Sequence, residues 1–64
     1  MKLRDWRLAQ GLSPEQLGEA IECTRQAVHR YEKGKVPKPT MMERIVAFTG
    51  GAVTPNEWFD GAAS

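Results

Sequence analysis

The apolar residues of the chain recur at three- and four-residue steps that are typical of short helices. Leu3, Trp6 and Ala9 keep this spacing in the first segment, and Gly11 follows as a natural helix end. The same spacing returns in later segments, and no stretch alternates apolar and polar residues for long enough to form a strand. The pattern therefore predicts an all-α fold, a compact bundle of four to five short helices.

Residues that cap helices predict where the next two helices begin. Ser13 and Gln16 have the spacing of a capping box, which predicts a second helix over about residues 14–21. Thr24 can cap a third helix, predicted over about residues 25–33. Only three residues separate the two helices, and a turn this short is typical of a helix-turn-helix.

The C-terminal third of the chain predicts two more helices. A fourth begins near Thr40 and ends at Gly50–Gly51, and Thr54–Glu57 has the cap, proline and acid that open a short fifth helix. Their large apolar residues exceed the needs of so small a core, so we expect some of them to form a dimer seam. These residues are Met41, Met42, Ile45, Phe48, Trp58 and Phe59.

Length and composition exclude several classes of protein. Sixty-four residues allow one domain over residues 1–64, and a single cysteine allows no internal disulfide. His29 and Cys23 are too few to hold a metal, and no cofactor is expected. We expect Cys23 to be a small buried apolar residue. No apolar stretch is long enough for a membrane span or a cleavable signal, which favours the cytoplasm.

Positive charge is concentrated in the middle of the chain. Residues 24–40 hold five cations and one acid, whereas the segments on either side are slightly acidic. A basic centre between acidic flanks indicates a face for a polyanion such as DNA. The alternative is a basic loop that is only solvated.

The short turn predicts which side of the third helix is exposed. Gly18 lies where the two helices approach most closely, so a minimal side chain is needed there. The residues expected to face inward are Leu17, Ile21, Cys23, Val28 and Tyr31. The residues expected to face outward are Thr24, Arg25, Gln26, His29 and Arg30.

The outward residues suit readout of bases in the major groove of DNA. Glutamine can pair with adenine through two hydrogen bonds, and arginine can do so with guanine. An ordinary solvated helix face is the alternative, but such faces usually mix acids with bases and these five residues include no acid. Glu15 and Glu19 share a face of the second helix, and an exposed acid pair of this kind is usually solvated surface.

The sequence resembles the Cro/cI-type helix-turn-helix regulators, also called xenobiotic-response-element-type regulators. The resemblance runs from Leu3 to about Phe59, and the residues after Gly50 look like the end of small phage Cro-type proteins. Its motifs are individually weak, but their order and spacing are fairly specific. They are Leu3-Arg4, Gly11-Leu12-Ser13, Leu17-Gly18, Thr24-Arg25-Gln26-Ala27-Val28 and Tyr31-Glu32-Lys33-Gly34-Lys35.

The resemblance implies a role for individual residues of the lambda-repressor-like domain. The third helix would be the recognition helix, with base contacts from Arg25, Gln26, His29 and Arg30, of which Arg30 could equally contact phosphate. Phosphate contacts are expected from Gln16, Thr24, Lys35, Lys38 and Thr40. Arg7 and Glu32 match an ion pair that joins the first helix to the end of the third, and we interpret this pair as structural.

Two residues depart from the family pattern. Glu22 stands in the tight turn where many members carry a glycine with a left-handed backbone. Either a non-glycine residue there costs about 1 kcal/mol, or the turn differs slightly from that of the family. Pro14 stands where many members carry a glutamine that braces the recognition helix and contacts phosphate. Phosphate binding near Pro14 therefore depends on backbone amides and on Gln16.

These observations predict a sequence-specific transcriptional regulator that binds double-stranded DNA. The resemblance implies a repressor that acts as a homodimer on a palindromic operator, in the cytoplasm at the bacterial nucleoid or in a phage-infected cell. The alternative is a protein-interaction adapter or antitoxin with the same fold, for which steep salt dependence of DNA binding would not be expected. Neither serine lies near His29 in any catalytic arrangement, so no enzymatic activity is expected.

Overall fold

The computed structural model is all-helical over the residues it describes, which are 1–63 for the backbone and 1–59 for the side chains. It has five helices within that range, and no strand. They are α1 (Leu3–Ala9), α2 (Pro14–Ala20), α3 (Arg25–Glu32), α4 (Pro39–Phe48) and α5 (Asn56–Ala63). The predicted all-α fold is confirmed. None of the described helices is both long and apolar enough to cross a membrane.

Side-chain caps fix the starts of α2 and α3. The Ser13 hydroxyl accepts a hydrogen bond from the Gln16 amide at 3.1 Å, and the Gln16 side chain accepts one from the Ser13 amide at 2.8 Å. The Thr24 hydroxyl accepts a hydrogen bond from the Ala27 amide at 3.1 Å. Both helices end one residue earlier than predicted, because Ile21 and Lys33 act as C-caps.

A small apolar core holds the helices together. Its buried residues come from four helices and from the loop before α5: Leu3, Leu17, Ile21, Val28, Ile45 and Val53. Trp6, Tyr31, Met41 and Trp58 pack against this core and are half-buried. Cys23 is also half-buried instead of fully buried as predicted, because it lies in the turn at the edge of the core.

Among the described residues, helices α2 and α3 make the most extensive contact between two helices, and Gly18 lies close to the turn that joins them. A Cβ atom at Gly18 would lie 2.6 Å from the backbone carbonyl oxygen of Cys23 and 3.3 Å from the carbonyl carbon of Thr24. The Cys23 amide in turn donates a hydrogen bond to the Gly18 carbonyl at 2.8 Å. The expected need for a minimal side chain at this position is confirmed.

The turn between α2 and α3 contains a strained residue. Glu22 has a φ of 61°, in the left-handed region that side chains disfavour, as expected from its place in the turn. Its carboxylate lies 3.3 Å from the Arg44 guanidinium, and both side chains are largely exposed. An exposed ion pair contributes little, so it does not remove the strain of the backbone.

The aromatic residues connect the outer helices to the rest of the fold. The Trp58 indole nitrogen donates a hydrogen bond to the Tyr31 carbonyl at 3.0 Å, which joins α5 to α3. Trp6 packs edge-on against Phe48 at 5.4 Å between ring centres, which joins α1 to α4. Phe48 and Phe59 nevertheless remain about half exposed.

The N-terminal ends of α4 and α5 differ slightly from the prediction. Helix α4 begins at Pro39, one residue before Thr40, because the ring of Pro39 suits a first helical position and the Lys38 carbonyl accepts the hydrogen bond of the Met42 amide. Helix α5 begins at Asn56, and the backbone carbonyl of Thr54 accepts a hydrogen bond from the Glu57 amide.

Replacing Glu22 by glycine is expected to relieve the backbone strain of the turn. Glu22→Gly should be more stable than Glu22→Ala by about 1 kcal/mol, because only glycine adopts the left-handed conformation without a steric penalty. Both variants lose the carboxylate, so the difference between them reports the backbone alone. Urea unfolding measures it, and equal stability of the two variants would contradict the strain.

Candidate nucleic-acid interface

The outward face of α3 presents an uninterrupted set of polar side chains. Arg25, Gln26, His29 and Arg30 are all exposed, as is Thr24 at the N-cap, whereas Val28 on the opposite face is completely buried. The core therefore fixes the helix through one face and leaves the other free. The four helical residues carry hydrogen-bond donors and acceptors of the kinds that pair with base edges.

These four side chains share one shallow, open depression with two residues that the sequence analysis did not assign. The depression is lined by Pro14, Arg25, Gln26, His29, Arg30 and Lys33. Lys33 follows Gln26 by seven residues and His29 by four, and this spacing along one helix face could have identified it. Pro14 comes from the first turn of α2, which borders α3.

An acidic residue of α2 forms an ion pair with a residue of α3. Glu15 Oε1 lies 3.7 Å from Arg25 Nη1. The five outward residues include no acid, as expected, and Glu15 adds one acid beside them from α2. Glu15 is exposed, as expected for solvated surface, and its carboxylate also lies beside a candidate base-reading residue.

The candidate phosphate-binding residues lie at helix starts and in one loop. Gln16, Thr24, Lys38 and Thr40 lie at the beginnings of α2, α3 and α4, and Lys35 lies in the loop after α3. All five are exposed. Backbone amides at a helix start point outward and attract anions. The Thr24 hydroxyl already accepts a hydrogen bond from Ala27, but its own proton remains available to donate.

Gln16 and Pro14 limit what the start of α2 can offer a phosphate. The side-chain oxygen of Gln16 is engaged by the Ser13 amide in the capping box, so only its amide nitrogen can donate to another group. Pro14 has no backbone N–H to donate. This end of the candidate interface therefore has few donors.

A largely buried ion pair holds the C-terminal end of α3. Arg7 Nε donates to Glu32 Oε2 at 2.7 Å, and Arg7 Nη2 donates to Glu32 Oε1 at 3.2 Å. Arg7 Nη1 also donates to the Leu12 carbonyl at 3.0 Å. The side chains are only 11% and 7% exposed. The contact thus fixes α3 against α1 in two parallel hydrogen bonds.

Cys23 lies next to the interface but has little nucleophilic character. Burial raises the pKa of the Cys23 thiol, and the positive charge of Arg44 opposes this effect in part. A raised thiol pKa keeps the sulfur protonated near neutral pH, and the thiol is a poor nucleophile in that form. The residue therefore acts chiefly through its packing against the core.

A short α2–α3 turn, a close helix contact at Gly18 and an exposed polar face on α3 define a helix-turn-helix protein. In agreement, the family described as "Helix-turn-helix domain" matches residues 1–57. The chain belongs to this helix-turn-helix domain family, and membership indicates a DNA-binding regulator. Neither a curated protein nor a solved structure matches the chain.

Removal of one partner from the Arg7–Glu32 pair is expected to destabilise the fold strongly. Glu32→Ala should lower the free energy of unfolding by about 3 kcal/mol, because it leaves the Arg7 guanidinium largely buried without its partner. Urea unfolding measures the change. Arg44→Ala is the control, since it removes one member of an exposed ion pair and should cost less than about 1 kcal/mol. Equal costs for the two variants would show that burial of the pair is unimportant.

Proposed function

We propose that residues 1–64 form one sequence-specific DNA-binding unit, a transcriptional regulator of the Cro/cI type that acts as a repressor. The observation that carries the proposal is the face of α3, where four exposed donor and acceptor side chains share one depression with Lys33. Cationic and amide side chains on a firmly packed helix suit insertion into the major groove. Sequence would be read there directly.

Within this unit, Arg25, Gln26 and His29 are assigned to bases, and Arg30 to bases or phosphate. Arg25 lies in the first turn of α3, and the N-terminal part of a recognition helix is the part that contacts base edges. Its guanidinium can donate two hydrogen bonds to guanine, and the Gln26 amide can pair with adenine in the same way.

The phosphate contacts are assigned to residues at helix starts and in the loop after α3. Lys35 and Lys38 are exposed cations near the recognition helix in sequence, and Lys38 is the N-cap of α4. Thr24 and Thr40 lie at the starts of α3 and α4, and Gln16 lies in the first turn of α2. Such contacts position a protein on DNA without reading its sequence.

A second copy of the chain is the proposed partner on DNA. An apolar depression is lined by Pro39, Met42, Val46, Ala47 and Pro55 together with Glu43. Phe59 of α5 is half exposed as well. Apolar surface of this kind supports a homodimer seam on α4 and α5, in line with the surplus of apolar residues in the sequence. A two-fold dimer would bind a palindrome with half-sites about 34 Å apart.

Selection from a pool of random DNA duplexes tests the proposal. Sequencing of the bound duplexes should reveal an enriched palindrome with half-sites about one helical turn apart. Enrichment of a single half-site would support DNA recognition but contradict the homodimer. Weak binding without enrichment would overturn the proposal and favour the adapter or antitoxin function.

Two substitutions separate base reading from phosphate binding. Gln26→Ala should weaken operator binding by about 1–3 kcal/mol and relax the preference at one base pair, because an amide that pairs with a base is lost. Lys38→Ala should weaken binding to all duplexes to a similar extent and reduce the salt slope by about one, because one phosphate contact is lost. Titrations on operator and unrelated duplexes at several salt concentrations measure both effects. A changed base preference in Lys38→Ala would reverse the assignment.

A further inference from the structure

The ion pair between Glu15 and Arg25 is not required by the fold. Glu15 Oε1 and Arg25 Nη1 are 3.7 Å apart, and the side chains are 70% and 61% exposed. Ion pairs with this exposure contribute little to stability, because water screens the charges and ordering two long side chains costs entropy. Its place beside the candidate interface therefore matters more than its contribution to folding.

The sequence fixes the backbone of Glu15 firmly at this place. Glu15 lies in the first turn of α2, between the conformationally restricted ring of Pro14 and the capping box formed by Ser13 and Gln16. Pro14 lines the same depression as the outward face of α3. The backbone of an acidic residue is thus held at the edge of a surface that otherwise carries cations and amides.

A carboxylate at this position has opposite effects on the two kinds of DNA group that Arg25 can meet. A phosphate carries a negative charge, so Glu15 repels any phosphate that approaches Arg25. A guanine edge carries no net charge and is not repelled in this way. The guanidinium has five N–H donors, so a contact between Nη1 and Glu15 leaves others free for the two acceptors of guanine.

We propose that Glu15 is a positioning residue for Arg25 and a determinant of sequence specificity. This inference rests on the proposed DNA-binding function. Glu15 directs the Arg25 guanidinium towards base edges and disfavours its use on phosphates. It thereby lowers the affinity for unrelated DNA more than the affinity for the operator. Specific interfaces use repulsion of this kind against the wrong partner.

The test compares Glu15→Gln with Glu19→Gln. Both variants remove one negative charge from an exposed position on α2, but only Glu15 contacts Arg25 among the described ion pairs. Dissociation constants are measured for the selected operator and for an unrelated duplex of equal length. Glu15→Gln should reduce the ratio of operator to unrelated affinity by about two- to fivefold, the range of an exposed ion pair, and Glu19→Gln should leave the ratio unchanged.

A double-mutant cycle separates positioning from a general charge effect. In an Arg25→Ala background, Glu15→Gln should no longer change the base preference at the position that Arg25 reads. Urea unfolding should show that neither substitution on α2 alters stability appreciably. An unchanged ratio in Glu15→Gln, or the same loss of ratio in the Arg25→Ala background, would overturn the inference.

The failure of this inference is distinguishable from failure of the proposed function. If the wild-type protein selects an operator but Glu15→Gln retains its full specificity, only the role of Glu15 is wrong. If the wild-type protein enriches no sequence at all, the DNA-binding proposal is overturned and the role of Glu15 with it.

Discussion

The close approach of α2 to the α2–α3 turn at Gly18 is the constraint on which the rest of the structure depends. The carbonyl of Cys23 occupies the space that a side chain at Gly18 would need, and the Cys23 amide donates a hydrogen bond back to the Gly18 carbonyl. This double contact allows a turn of only a few residues, and Glu22 adopts a left-handed backbone to complete it. The direction in which α3 leaves the turn, and hence which of its faces meets solvent, follows from that geometry.

Three arginines form ion pairs with glutamate among the described residues, and Arg7 and Arg25 differ most in how far their pairs are buried. Arg7 is nearly buried and donates two parallel hydrogen bonds to Glu32, so its charge cannot be left without a partner. Arg25 is mostly exposed and lies 3.7 Å from Glu15, so water or another acceptor can replace that contact at little cost. The Arg7–Glu32 pair therefore stabilises the fold, whereas Arg25 can exchange Glu15 for another acceptor.

The sequence predicted the helices well because their boundaries depend on local chemistry. Neighbouring residues were enough to predict the caps at Ser13 and Thr24. The short turn was enough to predict that Gly18 has no room for a side chain. Contacts between segments that are distant in sequence were harder to predict. Val53 is completely buried although it lies in a polar, glycine-containing loop, because Thr49 accepts its amide hydrogen bond and turns the chain inward.

The candidate site was predictable where it depends on the local helical pattern and not where it depends on contacts between helices. The outward residues of α3 follow from the helical period, which would also have included Lys33. The pairing of Glu15 with Arg25 joins residues ten positions apart on two helices, so it depends on how the helices are packed and no local pattern reveals it.

Helix α3 is attached to the rest of the molecule at several points along its length, and all of them leave its outward face unused. The hydrogen bond from the Cys23 amide to the Gly18 carbonyl holds the turn just before its start, buried Val28 holds its middle, and the Glu32 carboxylate and Tyr31 carbonyl hold its end. A helix anchored in this way loses little freedom when it docks, so less of the binding free energy is needed to order it. Because stability and recognition use opposite faces, the outward residues can vary with little effect on folding. In a domain with so small a core, this separation lets the proposed base-reading side chains differ without loss of the packing that holds α3.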